Sequence, residues 1–165
     1  MLVLREVVTD FPDTPSDTLT LDYARRRMSR QRVTLDSGED VALLLPRGTI
    51  LSDGALLRGD DGRLVVVRAA KERVSRVQST DLLLLTRVTY HLGNRHVPLE
   101  IRSGVVSYAH DHVLDELVRH LGLAPEFEVA PFEPEQGAYA EGSHHGSDSA
   151  YPGPPSSGHG HSHGG

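Results

Sequence analysis

The stretch from residue 74 to 130 switches repeatedly between two hydrophobic periods, and the order of the switches leaves few folds open. Residues 74–78 suit a short strand. Asp81 stands where an N-cap belongs, and Leu82, Leu85, Thr86 or Val88, Thr89 and Leu92 then recur at three- and four-residue intervals, the spacing of one helix face. Gly93 and Asn94 read as the stop, since both residue types tolerate the left-handed backbone of a C-terminal cap. Two strands follow, 97–101 and 105–109, joined by Arg102-Ser103-Gly104, a three-residue loop with glycine where positive φ is needed. Asp111 can cap a second helix whose apolar stripe is Val113, Leu114, Leu117, Val118 and Leu121, with Gly122 ending it. Residues 126–130 complete the order β-α-β-β-α-β, the split βαβ arrangement of a ferredoxin-like domain, predicted over 74–132.

The first 73 residues are punctuated differently. Apolar or β-branched runs at 2–8, 19–23, 33–35, 41–45 and 64–67 are separated by Ser37-Gly38, Pro46-Arg47-Gly48, Asp53-Gly54 and Asp61-Gly62. Such pairs make tight turns, and no helical period is sustained between them, so a small all-β domain is predicted over 1–73. A domain of that size is marginal by itself and gains from docking on its neighbour. It contains one charged cluster, Arg25-Arg26-Arg27-Met28-Ser29-Arg30-Gln31-Arg32. The cluster reads as a solvated turn and strand edge, where charge discourages edge-to-edge pairing; the competing reading is a docking face for an acidic protein.

Beyond Pro131 the chain turns to Glu, Pro, Gly, Ser and His with almost no aliphatic residues. Such a composition buries too little apolar surface to offset its ordering entropy, so 133–165 is expected to be a flexible tail. The class is therefore α+β: an all-β N-terminal domain, a ferredoxin-like domain and a disordered histidine-containing tail.

Charge and cysteine content exclude several functions. Residues 1–74 carry 12 basic and 12 acidic side chains, whereas 75–165 carry 5 and 11, which accounts for the whole formal charge of −6. An acidic second half does not suit nucleic-acid phosphates. With no cysteine, disulfides, thiolate zinc, iron–sulfur clusters and cysteine nucleophiles are excluded. Imidazole and carboxylate remain, ligands that suit Ni(II), Cu(II) and Zn(II). The N-terminal residues lack a signal-peptide pattern and no run reaches the ~18–20 apolar residues of a membrane span, so a cytoplasmic protein is expected.

The histidines are clustered. His91, His96, His110 and His112 fall within one stretch, and His144, His145, His159, His161 and His163 within the tail. His110 ends a strand and His112 begins a helix, a junction at which two rings are able to converge on one ion. With the loop at 102–104, Ile101 faces Val105 and His96 falls opposite His110, which predicts both at one end of the domain, within one or two strand spacings of ~4.8 Å. His91 and His120 are left out of the site, the first as a helix surface residue and the second as a cation suited to a helix C-terminus. In the tail, glycines between histidines let several imidazoles wrap one cation.

The residues Tyr90-His91-Leu92-Gly93-Asn94-Arg95-His96, then His110-Asp111-His112-Val113-Leu114-Asp115 and the histidine-rich tail, resemble the UreE family of urease accessory proteins. Gln31-Arg32-Val33, Leu45-Pro46-Arg47-Gly48-Thr49 and Asp53-Gly54 extend the likeness to the N-terminal part. The resemblance implies a nickel metallochaperone: a β-rich domain akin to chaperone peptide-binding modules, and a ferredoxin-like domain through which the protein dimerises. It implies that His96 of two copies shares one metal across the two-fold axis, that His110 and His112 form an additional pair, and that tail histidines add ligands. The implied partners are the urease accessory GTPase and the apo-urease complex, with no nucleic acid and no membrane. Five histidines over twenty tail residues are sparser than the long runs of some relatives.

Two other readings compete. A metallohydrolase built on His110 and His112 has Asp111 and Asp115 as its only nearby carboxylates and lacks a fuller motif such as His-Glu-x-x-His. A general divalent-metal buffer, binding Ni, Zn or Cu without delivering it, uses the same ligands.

Overall fold

A computed structural model of the chain describes residues 1–9 and 14–137. Its N-terminal part runs β1 (Val3–Val8), β2 (Asp17–Leu21), α1 (Tyr23–Arg26), β3 (Arg30–Thr34), β4 (Asp40–Leu44), β5 (Leu56–Gly59) and β6 (Leu64–Ala69). These strands form one sheet in the order β2-β6-β5-β1-β4-β3. The sheet curls until its edges meet: Asp36, just past β3, gives its N–H to Thr18 O of β2 at 2.8 Å. Its carboxylate takes the Thr20 N–H and hydroxyl at 3.2 and 2.7 Å. Inside lies a core of leucine and valine from every strand, including Leu4, Leu19, Val33, Leu43, Leu57 and Val65. Gly59 permits the tight approach of β5 to β1, since a Cβ there would stand 2.6 Å from Leu2 Cδ1.

The sequence pattern missed two elements here. β5 has four residues caught between two Gly turns, too few to display a period, and it is specified by pairing with both β1 and β6. α1 is a single helical turn, capped by the Asp22 carboxylate on the Arg25 N–H at 2.8 Å.

The second part runs β7 (Lys71–Gln78), α2 (Leu82–Gly93), β8 (Leu99–Arg102), β9 (Val105–Ala109), α3 (His112–His120) and β10 (Glu126–Pro131). The sheet order β10-β7-β9-β8, antiparallel throughout, is that of the ferredoxin-like fold. β7 is longer than its apolar residues suggest, starting at Lys71 because β10 pairs with it along 71–76. Both helices pack on one sheet face through Leu85, Val88, Leu92, Leu114 and Val118 against Val77, Val106 and Tyr108. Asp81 and Asp111 cap these helices as expected.

Three local expectations are corrected. The hairpin turn has two residues, not three: Arg102 pairs with Val105 and Ile101 with Val106, with Gly104 at φ 73°. His96 is consequently not paired opposite His110; β8 begins only at Leu99, after Pro98, which has no N–H for a ladder. Gly93 and Asn94 do not supply the left-handed residue after α2; Asn94 is right-handed at φ −63° and His96 adopts φ 57° instead. In α3 the buried positions are Leu114, Asp115 and Val118, whereas Val113 is exposed, so the inward face is rotated toward a carboxylate.

The expected start of a free tail at 133 is also displaced. Residues 132–136 form a strap between the two parts of the chain. Phe132 is buried edge-on to Tyr23, with ring centroids 5.8 Å apart. The Arg26 guanidinium, 2% exposed, donates to Phe132 O, to Leu51 O at 3.0 Å and to Glu133 Oε1 at 2.8 Å. The Glu133 N–H donates to Glu100 Oε2 at 2.8 Å, and the Glu135 N–H to Leu99 O at 2.7 Å. One member of the arginine cluster is thus a buried interdomain contact, while Arg25 holds β3 through Arg32 O at 2.7 Å.

Candidate metal centre

Helix α2 positions His96. Its last turn is extended by Asn94 N–H to Tyr90 O and Arg95 N–H to Leu92 O, each at 3.0 Å, and His96 N–H to Gly93 O at 2.9 Å. A left-handed non-glycine residue costs about 1 kcal/mol, and here it turns the chain from the helix axis toward β8. The imidazole is exposed. Because Leu99 pairs with Tyr108, the loop bearing His96 enters the sheet at the end where β9 delivers His110.

His110 follows β9, anchored by its N–H on Arg73 O at 2.9 Å. The ring is half-buried, edge-on to Phe127 with centroids 5.0 Å apart. Its Nδ1 lies 3.0 Å from Ser75 Oγ and 3.4 Å from Asp115 Oδ2. His112, the first residue of α3, is exposed. Between the two, Asp111 spends its carboxylate on the Leu114 and Val113 N–H groups, which hold it below the usual carboxylate range.

The sequence singled out these three histidines but not the polar group behind them. Ser75, Tyr108 and Asp115 are buried in a core that is otherwise apolar. The Tyr108 hydroxyl donates to Asp115 Oδ1 at 2.8 Å. Burial, and then that bond, push the phenol well above its usual range, so it stays a donor. An acid between Leu114 and Val118 on an inward helix face was the available signal.

Among the described residues no three His, Asp or Glu side chains come together as a ready metal cage. His144, His145, His159, His161 and His163 lie outside the described residues. Their root is placed, however: the strap ends against Leu99, three residues after His96. No described helix is long and apolar enough to cross a membrane.

Fold and site together define a class: a curled β domain strapped to a ferredoxin-like domain that displays imidazoles at one end of its sheet. The family profile described as "UreE urease accessory protein, N-terminal domain" matches residues 4–70, and that of the "C-terminal domain" matches 72–165. The chain belongs to the UreE family of urease accessory proteins. Three similar proteins carry the name "Urease accessory protein UreE". That of Pseudomonas putida is 53% identical over 145 residues, covering 87% of this chain and 89% of the relative. That of Alkalilimnicola ehrlichii is 56% identical over 126 residues, 76% of this chain and 77% of the relative. That of Burkholderia lata is 54% identical over 134 residues, 81% of this chain but only 65% of that longer protein.

Proposed function

We propose that this chain is a nickel metallochaperone of urease maturation: a cytoplasmic homodimer that carries Ni(II) on histidines and surrenders it to the apo-urease complex, with the accessory GTPase as a partner. It is a carrier and not an enzyme. The observation that carries the reading is the placement of His96, exposed and turned outward by a left-handed backbone at the end of α2.

The same helix supports the dimer. Leu82, Thr86, Thr89 and Tyr90 of α2 form an apolar groove with Ile101 and Val105, and Leu82 and Tyr90 are both 65% exposed. A second copy on this face buries it and brings two His96 rings toward one axis, since a two-fold interface presents each residue twice. Two imidazoles leave coordination positions open, which suits a site that must release its ion. The strap favours the tail as a source of further ligands, since His144 follows Glu135 by nine residues, a contour of at most ~30 Å. His110 and His112 serve as an additional pair near the same sheet end.

Urease activation at limiting nickel, with the native chain and with His96→Ala, tests the proposal. Activation that depends on the protein and drops for the variant is expected. Equal activation with and without the protein, alongside intact nickel binding, establishes instead a general divalent-metal buffer for Ni, Zn or Cu.

A further inference from the structure

The buried polar group beneath His110 has no part in the reading above, and the fold has gone to some length to build it. β7 and β9 pair so that Ser75 stands directly beside Tyr108 on the helix-covered face. Helix α3 lowers Asp115 onto the same spot, between the core residues Leu114 and Val118. A carboxylate taken out of water is costly unless its oxygens are occupied. Tyr108 occupies Oδ1, and Oδ2 faces His110 Nδ1 at 3.4 Å with Arg119 Nη2 at 4.0 Å behind it. Ser75 Oγ meets the same ring nitrogen at 3.0 Å, and Phe127 fixes the plane of the ring. Nε2 makes no hydrogen bond among the described residues.

We propose that Ser75 and Asp115 are positioning residues for cargo: they hold His110 as the Nδ1–H tautomer, so that the Nε2 lone pair is presented to Ni(II). A buried carboxylate and a hydroxyl clustered on one ring nitrogen favour the proton there, and a hydrogen-bonded Nδ1–H also raises the basicity of the opposite nitrogen. Tyr108 acts one step back, aiming the Asp115 carboxylate. Free imidazole prefers the other tautomer, Nε2–H, so the arrangement has a consequence that can be read without metal. The inference rests on His110 being a nickel ligand, and its test separates the two claims.

The tautomer of His110 is read from long-range 15N–1H correlations of the full-length chain at pH 8, with His110→Ala supplying the assignment. Nδ1–H is expected in the native protein, and loss of that preference in Ser75→Ala and Asp115→Asn. Calorimetric titration with Ni(II) alone is the second reading. His110→Ala removes one binding step, and Ser75→Ala or Asp115→Asn weakens that step about 10–100-fold. Should Asp115→Asn fail to fold, Tyr108→Phe replaces it, deleting only the hydroxyl and moving both readouts in the same direction. Nε2–H in the native protein overturns the proposal, as does full nickel affinity in folded Ser75 and Asp115 variants when His110→Ala is impaired. Unaltered binding in His110→Ala sinks instead the assignment of His110 as a ligand.

Discussion

The Arg26 guanidinium and the Glu133 carboxylate lie 2.8 Å apart, although 107 residues separate them in the chain. The same carboxylate oxygen accepts the Asp53 N–H at 2.5 Å, so one acid holds a helix, a loop and the strap together. Arg26 joins the N-terminal domain to the segment from which the histidine tail departs.

Arg26→Met should therefore destabilise the protein by about 2–4 kcal/mol, since it leaves Phe132 O unpaired and the partly exposed Glu133 without its cation. Urea unfolding measures this. A loss under about 0.5 kcal/mol, within the range of an ordinary surface change, would mean that the strap holds without its arginine.

His96 combines a strained backbone with an exposed imidazole, and two substitutions separate the roles. His96→Gly relieves the φ of 57°, so it should be more stable than His96→Ala by about 1 kcal/mol. Both should lose the proposed nickel site at His96 equally. Equal stabilities in thermal unfolding would show that the left-handed turn relaxes once the imidazole is gone.

Tyr90→Asp places a charge in the apolar groove between α2 and β8, six residues before His96. A monomer by light scattering, still folded by circular dichroism, is the expected outcome, with the His96 site weakened although His96 is present. Dimerisation undiminished by the substitution would place the proposed seam elsewhere.

Arg63 grips Glu39 at 2.7 and 2.9 Å and Asp61 at 2.6 Å. Hydrogen bonds from the Arg63 side chain lower Glu39 below its ordinary 4.5, and those from its N–H and side chain lower Asp61 below 3.8. A depressed carboxylate contributes stability above its unfolded pKa and loses it as pH falls through the folded one. Arg63→Gln should thus be less stable at pH 7, and the gap from the native protein should narrow as pH falls below the ordinary 4.5 and 3.8 of these two acids and through their lowered folded values. Urea midpoints taken across that range decide it; a gap that is constant with pH would show that these ion pairs do not contribute.

Much of the architecture follows from neighbours in sequence. The βαββαβ order, the caps at Asp81 and Asp111 and the strand–helix junction between His110 and His112 each depend on residues a few positions apart, so periodicity and turn chemistry disclose them. What local pattern did not disclose was decided across long separations. Whether an arginine in a charged run faces water or is buried depended on Glu133 arriving beside Arg26. Where β8 begins depended on its pairing with β9, which starts only at Leu99 and leaves His96 outside the ladder. Asp115 has no place in the apolar stripe read for the second helix, and Ser75 and Tyr108, on two other elements, supply the polar company that lets it be buried. The sequence alone determined which histidines were at hand and which elements would carry them. Only tertiary packing decided how the rings are held, because burying a charge or fixing an imidazole is settled by groups that the chain brings together last.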